Sequence, residues 1–535
     1  MEESSGGEKN AKGHLSGRSL LRKGSALSLL TFASRLLGLL REMTKASFLG
    51  TSALADAFAV SFMLPNLFRR LFAEGSIAVA FIPTFKGYLL EGDRKTIKEF
   101  LSCFLTFLTF FVTLAVIAGI LAAPAVVRIF GMEEHAEAVF LTRFMFPFLA
   151  FISIAALFQG ILNSHNIFAP TGMAPILLNV VTILCAFALS PFTENPARAM
   201  AIGVIVGGFL GAAIQLPFVL KQGHRFFFVG LKRAFDNPGT RKVLRLIAPT
   251  VIGMAAYQVN DLVSVALASN AGEGVVSSLQ YSLRLQELLL GVFAVSIGTV
   301  LLPSLASLAK SSQWDIYNQR LASAINIIAL ITIPVTFFSL MQGENLIRLL
   351  FQSNNFDETS VRLTLTAFTF HMPGLFFIAA NRILAPAFYA QSDAKSPTFA
   401  GIVSFAVNIA LAAILVGPFS GAGIALALSV ASAVNTVVLI VFLKKKPNAA
   451  SAPLAISPSF FYMLKMVLFS LLACIPVYFL SPLLTDFFAG RARIVSHGAP
   501  LAICFLVFTA AGLALLAFTK DKQLRAFVSM LRGKR

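Results

Sequence analysis

The chain has 535 residues, 57% hydrophobic and 13% charged, with a mean hydropathy of +0.81. Soluble proteins carry about 25% charged residues, so the side chains needed to cover several soluble domains are missing. Soluble multidomain enzymes and disordered chains are excluded. The net charge of +19 falls in short clusters between apolar runs rather than on one continuous face, which argues against nucleic acid and for a polytopic membrane protein obeying the positive-inside rule.

Residues 1–24 are polar and basic, and no small-residue cleavage site follows a clean apolar core. They read as a cytoplasmic tail rather than a signal peptide. A bilayer span takes about 20 mainly apolar residues. Such windows fall near 26–49, 54–88, 99–123, 136–162, 168–190 and 198–220. The segment 222–240, with Phe226, Phe227, Phe228, Lys232 and Arg233, is too polar to span and reads as an interfacial linker. Further windows fall near 243–269, 276–309, 318–341, 360–390, 397–417 and 420–443, then near 459–482 and 497–519. The expected fold is an all-α polytopic membrane protein of about 14 transmembrane helices.

Alternate connections are basic: Lys86, Arg94, Lys95 and Lys98; Lys221 to Arg245; Lys310 and Arg320; Lys444, Lys445 and Lys446. The others carry Glu133, Glu134, Glu194, Glu273, Asp357 and Glu358, with Arg491 and Arg493 as exceptions. The asymmetry places both termini in the cytoplasm.

An internal repeat divides the spans. Pro83 in Ala-Phe-Ile-Pro-Thr-Phe matches Pro303 in Val-Leu-Leu-Pro-Ser-Leu; Pro170 and Asn179 match Pro397 and Asn408, all about 220 to 230 residues apart. Two pseudo-symmetric six-helix halves of like orientation are expected, plus two extra C-terminal helices. The expected boundaries are 1–24 (tail), 25–221 (first half), 222–240 (linker), 241–446 (second half), 447–519 (two extra helices) and 520–535 (tail).

Charge at a helix centre costs about 2.5–3.5 kcal/mol on insertion scales and normally faces a cavity or a partner. The first span holds Ser34, Arg35, Gly38, Arg41 and Glu42; the second Asp56, Asn66, Arg69, Arg70 and Glu74. The seventh holds Asn260 and Asp261, and the eighth Gln280, Arg284 and Glu287. Pairing within a helix, such as Arg70 with Glu74 or Arg35 with Glu42, is the bland alternative. Arg143 and Arg348 lie near span ends and are expected to snorkel. Arg35, Arg41 and Arg284 are expected to converge on one cavity, with a bend at Gly38 turning Arg35 and Arg41 to a common side. Such a cavity suits a polyanion, because guanidinium forks match phosphate oxygens. The six histidines form no metal pair, and no P-loop or Gly-x-Ser-x-Gly occurs. No enzyme activity, metal or cofactor is expected.

Ser-Arg-Leu-Leu-Gly-Leu-Leu-Arg-Glu (34–42), Ala-Asp-Ala-Phe (55–58), Leu-Pro-Asn-Leu-Phe-Arg-Arg-Leu-Phe-Ala-Glu-Gly (64–75), Gly-Thr-Val-Leu-Leu-Pro-Ser-Leu (298–305) and Leu-Ala-Pro-Ala-Phe-Tyr-Ala (384–390) resemble the MurJ (MviN) lipid II flippases. The resemblance runs from about residue 25 to 520. It implies a member of the multidrug/oligosaccharidyl-lipid/polysaccharide exporter superfamily in the bacterial cytoplasmic membrane. It would move undecaprenyl-diphosphate disaccharide-pentapeptide to the outer leaflet for cell wall synthesis. The family's substrate-binding arginines would fall on Arg35, Arg41, Arg69 and Arg284, with Ser34 beside them and Asp56, Glu74 and Glu287 as acidic partners. The last two helices would form a groove for the lipid tail. Leu283 stands where the family often has an acidic residue, and Asp261 is the substitute expected for it.

The implied partners are the anionic lipid-linked substrate, membrane lipids and, as candidates, wall-synthesis enzymes; a monomer is expected. Two other readings stay open: an exporter of another polyprenyl-linked glycan or of drugs, and a non-transporting membrane scaffold.

Overall fold

The computed structural model describes residues 17–70, 80–131, 136–446 and 456–525. Among them are helices and connections and no strand. The helices are α1 (Gly17–Leu49), α2 (Ala53–Phe68), α3 (Ile82–Glu91), α4 (Arg94–Ile129), α5 (Ala136–Met145), α6 (Phe148–Ser164), α7 (Ala169–Leu189), α8 (Pro196–Ala213) and α9 (Leu216–Lys221). Then come α10 (Leu231–Asp236), α11 (Pro238–Ser269), α12 (Val275–Lys310), α13 (Trp314–Phe351), α14 (Glu358–His371), α15 (Leu375–Ala390), α16 (Lys395–Lys444), α17 (Ile456–Phe488) and α18 (Arg493–Phe518).

Nine helical segments among the described residues are long and apolar enough to cross a membrane. One of them, α16, has 50 residues, about 75 Å if straight, against a hydrocarbon core of about 30 Å. It folds back instead. Ser420 leaves the helical region (φ 48°, ψ −131°), and Ser404 on the first limb donates from Oγ to the Ala431 carbonyl on the second at 2.8 Å. The two limbs are the expected windows 397–417 and 420–443.

Other windows are broken where proline removes an N–H and crowds the preceding turn. Pro147 separates α5 from α6, Pro217 follows the break between α8 and α9, and a 3₁₀ turn at Met372–Gly374 separates α14 from α15. Pro65 and Pro303 lie inside continuous helices. Two helices begin inside segments expected as tail and linker. Leu20, Leu21, Arg22 and Lys23 are good helix formers, and α1 already runs from Gly17. Pro238 is pre-set for a first helical turn, and Asn237 caps α11 through the Thr240 amide.

The linker lies along the start of α4. Its extended backbone finds acceptors in hydroxyls of that helix: Phe227 N–H donates to Ser102 Oγ (3.4 Å) and Val229 N–H to Thr106 Oγ1 (3.1 Å). Arg233 adds an ion pair with Glu99 at 2.7 Å.

The repeat reappears as pairing. In the first half α7 packs on α1, and in the second the first limb of α16 packs on α11. The matched asparagines do equivalent work: Asn179 Nδ2 donates to the Ser34 carbonyl of α1 (3.3 Å), and Asn408 Nδ2 to Asn260 Oδ1 of α11 (2.9 Å). Beyond the halves, α17 and α18 pack on each other and on α13, leaving Phe460, Phe461, Phe479 and Phe505 exposed.

Candidate functional site

A cavity of about 840 Å³ lies between the halves, walled by α1, α2, α7, α8, α11, α12, α14, α15 and α16. Its ionisable lining is uneven. Among the described residues, Arg41, Lys45, Arg70, Arg284 and Arg382 face it with Glu42, Asp261 and Glu287 as the carboxylates, a formal excess of two positive charges.

The charges come from helical stripes. On α1, Arg41 and Lys45 are four residues apart and so share a face; between them Glu42 accepts from Arg41 Nη2 (2.8 Å) and Lys45 Nζ (2.9 Å). Lys45 also donates to Gln280 Oε1 of α12 at 3.2 Å and lies over the Tyr281 ring at 4.5 Å. On α12, Gln280, Arg284 and Glu287 form one stripe, and Arg284 Nη1 is 3.2 Å from Glu287 Oε2. Across the cavity Arg70, two residues past the end of α2, meets Asp261 of α11 at 3.3 Å.

Several expectations meet a different arrangement. Arg41, Arg284 and Glu287 come together on the lining. Arg35 does not join them: its Nη1 donates to the Gly291 carbonyl of α12 at 3.0 Å. Six residues put Arg35 about 120° from Arg41 on a helix, and α1 is continuous through Gly38, so the two arginines meet different partners. Glu42 pairs with Arg41 and Lys45 rather than with Arg35. Ser34 takes part through its carbonyl, which braces Asn179. Arg69 donates from Nε to Asn66 Oδ1 at 2.7 Å, and it is Arg70, the next residue, that reaches the lining. Asp261 does not stand in for an acid at Leu283, because Arg70 holds it while Glu287 holds Arg284. Glu74 lies outside the described residues.

Asp56 has a different place altogether. Buried at the face that carries the acidic loops, it accepts the Gly274 amide (2.8 Å) and the Ser277 amide (2.7 Å), capping α12 from across the interface between the halves. Gly274 sits at φ 79°, and a Cβ there would lie 2.3 Å from the Thr51 carbonyl. The same face is tied by Thr51 Oγ1 to Ser360 Oγ (2.8 Å), Tyr281 OH to the Gly50 carbonyl (3.0 Å) and Asn355 Nδ2 to the Ser47 carbonyl (2.9 Å). These contacts seal the cavity on that side.

Sequence reading did not place Lys45 or Arg382 on the lining. The signal for Lys45 was its four-residue spacing from Arg41; for Arg382 it was the cost of a lone charge in a span. Arg143 donates to the Ile120 carbonyl, and Arg348 is paired by Glu344 and Glu358.

The sequence model described as "Lipid II flippase MurJ" matches residues 45–497. A "Probable lipid II flippase MurJ" of Treponema pallidum (strain Nichols) is 44% identical over 510 residues, covering 94% of this chain and 97% of the relative. A solved structure titled "Lipid II flippase MurJ, inward closed conformation" aligns with a TM-score of 0.77 at 25% identity, over 92% of this chain and 99% of that one. An inward-facing multidrug resistance MATE family transporter of the MOP superfamily shares the fold at a TM-score of 0.65 and 14% identity, over 78% of this chain and 95% of its own. A match of this length and identity, on a chain whose two halves enclose a basic cavity, makes this protein a member of the lipid II flippase MurJ family.

Proposed function

We propose that this protein is a flippase. It carries lipid II, undecaprenyl-diphosphate disaccharide-pentapeptide, from the cytoplasmic to the outer leaflet of the bacterial cytoplasmic membrane by alternating access, for peptidoglycan synthesis. The observation that carries the reading is the excess of cations around the cavity between the halves. A diphosphate bears about two negative charges and would neutralise that excess, with arginine forks as its natural donors. A pocket for cationic drugs would show the reverse balance.

In this reading Arg41 and Arg284 hold the diphosphate, assisted by Lys45 and Arg382. The side-chain oxygens of Asn408 and Asn435, on the lining and without a hydrogen-bond partner among the described residues, offer acceptors to sugar hydroxyls and peptide amides. The polyprenyl chain stays in an apolar path along the exposed phenylalanines of α17 and α18. The basic loops and both termini lie in the cytoplasm, so the sealed face looks outward and the substrate enters from inside.

The test is a flipping assay in proteoliposomes with labelled lipid II in the inner leaflet. Protein-dependent appearance of label in the outer leaflet, competed by unlabelled lipid II and not by cationic drugs, supports the reading. Equal flipping of unrelated polyprenyl-linked glycans would move it to the broader exporter class.

A further inference from the structure

Helices α1 and α12 come from different halves and run antiparallel along one side of the cavity, meeting from Gly50 and Tyr281 at the sealed face to Arg35 and Gly291 further in. Two arginines cross this seam in opposite directions, and each ends at a glycine of the other helix. The Arg284 guanidinium of α12 lies over Gly38 of α1, where a Cβ would stand 2.2 Å from Nη2. The Arg35 guanidinium of α1 lies over Gly291 of α12, where a Cβ would stand 2.4 Å from Nη1. Arg35 also donates to the Gly291 carbonyl at 3.0 Å. Any larger residue at either position would occupy the space the guanidinium now fills.

We propose that Gly38 and Gly291 are reciprocal sockets that close the α1–α12 seam by seating Arg284 and Arg35, and that an entering diphosphate opens the seam by drawing Arg35 away from the Gly291 carbonyl. The release step rests on the proposed substrate; the sockets do not. The chemistry favours exchange. Arg35 makes a single bond to a neutral carbonyl, whereas a diphosphate oxygen pair accepts the guanidinium fork bidentately and adds the attraction of opposite charge. Arg35 is itself exposed and within one helical turn of Gly38, so its long side chain can leave the socket without moving α1. Arg284 already has a carboxylate, Glu287, on the cavity side, which supplies an alternative partner once its socket is vacated. Arg35 is thus a positioning residue of the resting protein that becomes a phosphate ligand, and the two glycines set when it is available.

The sockets make a prediction that charge removal alone does not. In Gly291→Ala and Gly38→Ala every charge is kept and the helix is strengthened, since alanine is the better helix former. The clash falls on the flexible end of an arginine, so the guanidinium is expelled while the backbone stays. Spin labels on Leu36→Cys and Leu288→Cys in protein reconstituted in nanodiscs report the seam by their distance distribution. Ligand-free wild type is expected to show one short-distance population. Gly291→Ala is expected to raise the longer-distance fraction about tenfold or more, the scale of one lost hydrogen bond from a charged donor. Arg35→Ala should do the same, while Arg35→Lys, which keeps one donor, should fall between. Adding undecaprenyl diphosphate should shift the wild type to the long distance, with undecaprenyl monophosphate less effective.

A wild-type distribution in both glycine variants overturns the sockets. Diphosphate that binds without moving the wild-type distribution overturns the release step. If the diphosphate does not bind, the substrate reading falls, and the ligand-free glycine variants still decide the sockets.

Discussion

Arg284 meets one carboxylate, Glu287, at 3.2 Å, and its five N–H donors leave a fork for a ligand. Arg41 shares Glu42 with Lys45, so that triad also keeps an unbalanced positive charge. Loss of a hydrogen bond to a charged group costs about 1.5–3 kcal/mol. Arg41→Ala and Arg284→Ala are therefore expected to lower initial flipping rates about 10- to 150-fold at equal reconstituted protein, and lysine at either position to recover part of the loss by keeping charge without the fork. Wild-type rates in both alanine variants would assign these arginines to packing. Asp56→Ala removes a cap worth about 0.5–2 kcal/mol from the sealed face. A cysteine at Gln280 should then react several-fold faster with an impermeant thiol reagent added on that face; an unchanged rate would show that Asp56 does not hold the seal. The sequence made Arg41 and Arg284 visible through the cost of burying charge in lipid. It did not reveal Arg35's partner, because Gly291 lies 256 positions away and nothing in the local pattern of α1 says which of its faces meets α12. The cap made by Asp56 was hidden for the same reason, its helix lying 218 positions on.

Helices were more legible than contacts, since about 20 apolar residues leave few alternatives in a bilayer. The windows at 99–123 and 168–190 correspond to α4 and α7. The breaks at Pro147, before Pro217 and at Pro373 were not legible, because proline inside a membrane helix is equally compatible with a continuous run, as Pro65 and Pro303 show. The linker offers a pH prediction at this scale. His165 at the end of α6 and His224 in the linker face each other, Nε2 to Nε2, at 2.8 Å, with Phe85 edge-on to both rings. Two imidazoles this close can share one proton but resist a second. Burial, reinforced by the neighbouring His165, pushes His224 down to about 4, and burial also lowers His165. The unfolded chain, with histidine near 6.5, binds more protons over the interval between. The stability held by the neutral pair is full above pH 6.5 and falls as the pH drops toward 4. Thermal unfolding of the purified protein should show a lower midpoint at pH 5 than at pH 7.5, and His224→Asn should flatten that difference. An unchanged slope in the variant would mean the pair does not govern it.

For the whole molecule the decisive quantity is the charge that crosses the membrane. Among the described residues the lining carries five cations and three carboxylates, so a bound diphosphate of about two negative charges brings the cavity close to neutrality, and closing the halves around it no longer buries an uncompensated charge. The loaded protein can therefore change state more easily than one holding a neutral ligand. In the loaded stroke the cavity charge and the substrate charge move together and cancel, so with the cytoplasm electrically negative the field, about 2.3 kcal/mol per charge per 100 mV, acts on the return stroke. The empty cavity keeps its two excess positive charges, and its return toward the cytoplasmic side is favoured by the same field. The complete cycle therefore carries the substrate's two negative charges outward down the field, which requires no nucleotide site. Proteoliposomes with a potassium diffusion potential, negative on the side of lipid II loading, should flip several-fold faster than those clamped at zero, and reversing the potential should slow them below that level, with pH equal on both sides throughout. Arg382→Gln, which removes one of the five cations, should weaken the dependence on potential as well as the rate, because less positive charge returns with each cycle. A rate indifferent to the sign of the potential would mean that another gradient drives the cycle and that the cavity charges serve binding alone.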